Sequence, residues 1–165
     1  MPSLAISNSV LGLRKAKHLL RRACFHYNRS ILEHFATLTP TQAVDELSLN
    51  ETLPWQDPYD TVTNPQDGLN DGFWIHSGNP PSNYPNGQTR KRGIISGWWW
   101  YNMLSQNRLQ HKLMFFLHTC FTISKDDGSG KSAYYYDYLQ LIKFYTNGSI
   151  KTLAKKITFD NAMLL

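Results

Sequence analysis

The stretch Leu13-Arg14-Lys15-Ala16-Lys17-His18-Leu19-Leu20-Arg21-Arg22-Ala23-Cys24-Phe25-His26-Tyr27-Asn28 decides the fold class. Leu13, Ala16, Leu20, Ala23, Cys24 and Tyr27 recur at spacings of three and four, which predicts an amphipathic helix over 13–28. Arg14, Lys15, Lys17, Arg21 and Arg22 surround the apolar stripe. Such a basic helix can meet nucleic acid or an anionic membrane surface, or it can be a solvated face whose Lys and Arg stems cover apolar surface. The second reading is the commoner one.

The same period continues outward from this helix. Ser30 with Glu33 three residues on reads as a capping box ahead of Ile31, Leu32 and Phe35. Thr39, Pro40 and Gln42 read as a second start, with Pro at the first helical position. That helix runs to about Leu49 with Ala43, Val44 and Leu47 inward. From about Arg90 a helix carries Trp98, Trp99, Trp100, Met103 and Leu104. Arg108 to about Ile123 carries Leu109, Leu113, Phe116, Leu117 and Cys120 on one stripe. Ser132 to about Asn147 is a tyrosine-rich helix, ended by a left-handed stop at Asn147-Gly148. A last helix over 149–159 places Ile150, Leu153, Ala154 and Ile157 inward, and Asp160 is set as the cap of a further turn. The expectation is an all-α fold of about seven helices, packed mostly antiparallel.

Residues 50–89 break the pattern. Six of the eight prolines lie here, with Asn and Gly between them and no helical or alternating period. The segment reads as one long irregular insertion. Its Trp55, Tyr59, Phe73, Trp74 and Tyr84 interleave with Asn, Gln and Asp. Trp55 and Trp74 are candidate stacking surfaces for a sugar or base. The alternative is that these aromatics pin the loop to the body, and it is the stronger reading.

The chain has 165 residues, 41% hydrophobic and 18% charged, so it can bury a core. Apolar runs such as Leu113 to Leu117 are too short to cross a bilayer. The formal charge of +5 is blocked along the chain. Residues 36–89 contain no Lys or Arg, whereas 90–125 contain no Asp or Glu. Blocks of this kind can pair within the fold, so a basic pI argues only weakly for nucleic acid, the disfavoured partner. Two cysteines, Cys24 and Cys120, do not make a disulfide scaffold, and both are expected to act as small buried hydrophobes. Met1 to Gly12 lacks a basic segment followed by an apolar one, so a cytoplasmic location is the default expectation.

No nucleotide-binding or hydrolase motif is present. Gly128-Ser129-Gly130-Lys131-Ser132 is like the tail of a phosphate loop but has Lys125 where the first glycine belongs. His118 and Cys120 are of metal-ligating types, yet two residues on a helix point about 200° apart and cannot share an ion. No metal site and no cofactor is expected. Asp137, between Tyr136 and Tyr138, needs a partner on a largely buried helix, and a base of the first helix is the expected one. His118 and Asp137 are the candidates for chemistry.

Leu13 to Arg22 with Ala23, Cys24 and Phe25 resembles the L-L-R-R-A-x-F-G opening of the bacterial family known as domain of unknown function 1800. His26 stands where that family has Gly. Leu38 to Ala43, Trp98 to Leu104, Leu139 to Leu141 and Ile157 to Leu164 extend the likeness. Lys112 to Phe121 is similar to the family's K-x-x-x-F-x-H-x-H-F, with Cys120 in place of the second His. The versions common in Bacteroidetes are the most similar. The resemblance implies a longer, mostly helical chain of which residues 1–165 are the N-terminal part, and it implies no function. Three functions are compatible with the residues. The first is an interaction or scaffold module whose aromatic loop contacts a protein partner or glycan. The second is part of a hydrolase-like or metal-assisted enzyme whose carboxylates lie beyond Leu165. The third is a nucleic-acid binder using Arg14 to Arg22, with Arg14, Arg21 and Arg22 the candidate contacts, and Arg90 to Arg92.

Overall fold

A computed structural model describes residues 8–49, 55–63, 71–76, 87–123 and 131–164. Among them are seven helices and no strand: α1 (Gly12–Ala23), α2 (Arg29–Thr37), α3 (Pro40–Ser48), α4 (Gly87–Ser105), α5 (Leu109–Cys120), α6 (Ser132–Tyr145) and α7 (Ile150–Ile157). The all-α expectation holds. The chain divides into two units, one of Met1–Leu53 with Met103–Leu113, the other of Pro54–Asn102 with Met114–Leu165. Helices α4 and α5 each contribute to both.

In the first unit α1 packs on α2. Ala16, Leu20 and Ala23 are buried at spacings of four and three, and they join Cys24, Phe35, Ala43 and Leu47 in one core. The first helix is shorter than the period predicts. Cys24 is extended, with φ −126° and ψ 158°, so α1 stops at Ala23. Asn28 is then needed elsewhere. It caps α2, its Oδ1 accepting from the Ile31 N–H at 2.9 Å. The box expected at Ser30 is therefore absent, because Ser30 already lies inside the helix. Glu33 instead pairs with Arg29 at 2.7 Å on the surface, where such pairs contribute little. Leu13 is 58% exposed in the opening turn rather than inward.

The α3 start is as expected. Thr39 accepts from the Gln42 N–H, and the Gln42 side chain accepts from the Thr39 N–H at 3.0 Å. At its other end Arg108 donates to the Glu46 carbonyl at 2.7 Å, a cation on a carbonyl that the last turn leaves open. Val44 does not face inward; it is 51% exposed.

In the second unit the core is built from Ile95, Trp99, Met114, Leu117, Tyr138, Leu139, Ile142, Leu153 and Ile157. Helix α7 packs on α6, capped by Ser149, whose hydroxyl accepts from the Thr152 N–H at 3.3 Å. Three apolar positions expected inward are exposed: Phe116, Cys120 and Ile150. On α5 the buried stripe is His111, Met114 and Leu117, one step round from the predicted one. Gly148 does not take a positive φ. Its N–H bonds the Tyr145 carbonyl at 3.0 Å, and a Cβ there would meet the Tyr145 ring at 2.9 Å. The glycine is required by close approach.

Within the long segment expected over 50–89, α4 already begins at Gly87. Residues 55–63 and 71–76 are irregular apart from one bridge between Asp60 and Gly72. The rest of it, with Tyr84, lies outside the described residues.

Candidate functional site

Helix α6 organises the polar chemistry of the second unit. Its run Tyr134-Tyr135-Tyr136-Asp137-Tyr138 points successive side chains about 100° apart. Three hydroxyls consequently reach three different segments. Tyr135 accepts from Ser96 of α4 at 3.4 Å. Tyr136 donates to Asp57 Oδ1 at 2.6 Å. Tyr138 donates to the Phe121 carbonyl at the end of α5.

Around Tyr136 gathers a cluster that also holds His76 and Trp98. His76 Nε2 lies 3.6 Å from Asp57 Oδ2, and its ring meets Tyr136 edge-on at 5.9 Å. Trp98 donates to the Gln56 carbonyl at 2.5 Å. Burial, and then the neighbouring Asp57, push the Tyr136 hydroxyl well above its usual range. Asp137 is exposed beside this cluster. Burial of its carboxyl, and then repulsion by Asp160, raise its pKa, while His76 acts in the opposite sense. Within the second unit the charges that bear on Asp137 are Asp160 and His76.

His118 belongs to a separate cluster. Its Nδ1 lies 3.1 Å from the Tyr138 hydroxyl, and the Trp99 ring meets it edge-on at 5.1 Å. Burial lowers its pKa. His118 and Asp137 are therefore not brought together. Cys120 is exposed two residues away. Among the described residues no three His, Cys, Asp or Glu side chains converge enough to hold a metal ion.

The second basic block is engaged internally. Lys91 is fully buried and pairs with Asp71, and Arg90 donates to the buried Asp60 at 2.6 Å. Arg92 is buried. No phosphate can reach the Lys91 ammonium, which is buried and held by a carboxylate, and Arg90 is engaged by Asp60. Trp74 is buried here too, its N–H donating to Ser132 at 3.0 Å with Lys91 5.4 Å from the ring. Trp55 is buried edge-on to Trp98 at 5.0 Å, under Lys143 at 3.7 Å. Both indoles anchor the irregular segment and leave no open stacking face.

Arg14, Arg21 and Arg22 stand differently. All are exposed on α1 together with Lys15 and Lys17, and no ion pair engages them among the described residues. Beside them the first unit has an apolar hollow of about 230 Å³ lined by Leu19, Arg22, Ala23, Val44, Leu47 and Leu109. Sequence reasoning missed this hollow, and it missed Asp57, His76 and Asp60. The last three sit on an irregular segment where no period points to a partner.

A helical protein of two units, with its polar chemistry strung along one tyrosine-rich helix, is the class that fold and site define. Residues 18–165 match the family described as "Protein of unknown function (DUF1800)", and the chain belongs to that family. No curated protein and no solved structure gives a significant match. Among the described residues no helix is long and apolar enough to cross a membrane.

Proposed function

We propose that the chain is an interaction module, acting by binding a protein partner through the basic face of α1, with Arg14, Arg21 and Arg22 among the contacting residues. The observation that carries this reading is the contrast between two basic blocks. Lys91 and Arg90 are held by Asp71 and Asp60 inside the second unit, whereas the five cations of α1 are exposed and meet no carboxylate among the described residues. An unneutralised cationic helix steers and orients an anionic partner. The likeness of residues 13–22 to the Bacteroidetes versions supports a source in that group.

Acetylation footprinting in an extract of the protein's own cells tests the reading. Lys15 and Lys17 are expected to react more slowly there than in the purified chain, while Lys151 and Lys155 on α7 react alike in both. Equal rates at Lys15 and Lys17 would remove the basis for a partner at α1.

A second reading, a hydrolase-like enzyme, is favoured by the bonding of His118. A hydroxyl that gives its proton to Phe121 can only accept from Nδ1, which leaves Nε2 as a free base. A screen of ester, phosphate and glycoside substrates with the wild type and His118→Gln tests it. Turnover lost in the variant supports the reading; no turnover in either removes it.

A further inference from the structure

The hollow beside α1 has a composition that selects its occupant. Leu19, Ala23, Leu47 and Leu109 give it an apolar floor, and Val44 stands at its edge, half-exposed. Val44 also borders a second hollow of about 270 Å³ with Pro40, Thr41 and Asp45. Val44 is the residue the two hollows share, standing between them on α3. Aliphatic side chains gathered around one hollow differ from leucines scattered singly over a surface.

The cations lie on the α1 side. On α1, Lys15, Leu19 and Arg22 share a face, because offsets of four and seven return to the same side of a helix. Lys15 and Arg22 thus flank Leu19, about 10.5 Å apart along the axis. Both are exposed without an ion pair among the described residues. Asp45, of opposite sign, lines the second hollow on the α3 side.

We propose that this groove docks an acidic amphipathic helix of a protein partner, with aliphatic side chains over Leu19 and Val44 and carboxylates on Lys15 and Arg22. This rests on the reading of α1 as a partner-binding face and adds the chemistry of the partner. Apolar anchors at helical spacing supply the buried contact, as in other helix-in-groove recognition. The two cations fix which face of the docked helix turns to α1, since Asp45 repels carboxylates from the α3 side. A nucleic acid would satisfy the cations but not the apolar floor, and a second copy of this α1 would bring like charge onto Lys15 and Arg22.

The test uses the whole chain and a fluorescein-labelled synthetic helix of about 18 residues, long enough to be helical when docked. One probe has leucines on one face and glutamates beside them; its control carries lysines in place of the glutamates. Anisotropy titration is expected to show binding of the acidic probe and at least about tenfold weaker binding of the basic one. Val44→Asp and Arg22→Glu, both at exposed positions that the fold does not depend on, are each expected to weaken the acidic probe at least about tenfold. Far-ultraviolet circular dichroism of each variant checks that it is folded.

Several outcomes overturn the proposal. Failure of the acidic probe to bind is one, and equal affinity for both probes is another. Weakening by Arg22→Glu with no effect of Val44→Asp removes the groove but leaves α1 as an anionic contact, which the footprint at Lys15 and Lys17 reads separately. Concentration-dependent dimerisation abolished by Val44→Asp assigns the groove to a second copy. A single-stranded oligonucleotide that competes off the probe while Val44→Asp leaves its own affinity unchanged assigns the face to nucleic acid.

Discussion

His118 meets Tyr138 through Nδ1 at 3.1 Å, and the Tyr138 hydroxyl is itself turned to the Phe121 carbonyl. One proton cannot serve two bonds. The hydroxyl must therefore accept from His118, which places a proton on Nδ1.

The first prediction concerns this ring. Burial lowers the His118 pKa below its ordinary 6.5. The folded chain then binds fewer protons than the unfolded chain just below that value, so stability is full above it and falls as the pH drops through it. Urea midpoints between about pH 7.5 and 5 should fall less for His118→Gln than for the wild type. Nitrogen-15 spectra should show the Nδ1–H tautomer. An Nε2–H tautomer at neutral pH would contradict the arrangement.

Asp137 works in the other direction. Burial and then Asp160 raise its pKa, so its charged form is disfavoured in the folded chain. The matching stability is present at low pH and is lost as the pH rises through the folded value. Asp137→Asn should therefore stabilise the protein at pH 7 by a few tenths of about 1 kcal/mol, small because the group is exposed and screened. Near pH 3 the gain should vanish. A loss of stability at pH 7 would mean that the carboxylate has a favourable partner.

Lys91 is buried against Asp71. Asp71→Ala should cost about 3 to 5 kcal/mol, because an ammonium is left in the interior without its carboxylate. Adding Lys91→Met should restore most of that loss. A double variant as unstable as the single one would show that Asp71 acts through some other contact.

Leu20 and Arg21 are neighbours with opposite surroundings. Leu20 is fully buried and Arg21 exposed. Leu20→Ala should cost about 2 to 5 kcal/mol and Arg21→Ala well under about 1 kcal/mol. Equal losses in chemical denaturation would place the face of α1 wrongly.

The two thiols should differ in rate. Cys24 is buried, and burial pushes its pKa up to about 11 despite Lys112 and Arg108, whereas Cys120 is exposed. At pH 8 a thiol reagent should label Cys120 quickly and Cys24 only as the chain unfolds. Two fast thiols would show that the core around Cys24 is open.

The sequence by itself determined the helices, and through Ala16, Leu20 and Ala23 the core face of α1, because a period of 3.6 residues is a local property of the chain. It determined the Thr39 cap as well, since that motif closes within four residues. It could not show that α1 would end at Cys24 so that Asn28 might cap α2, because two helices compete for the residues between them. Nor could it show which side of α5 is buried, where apolar residues occur almost all round and only the neighbours choose. The polar sites were the least legible. Tyr136 with Asp57, Lys91 with Asp71 and His118 with Tyr138 join residues far apart in the chain, and no local spacing encodes such a meeting. The same holds for the groove: Leu19, Val44 and Leu109 make it only because α1, α3 and α5 come together, and burial of the first unit's core brings them there.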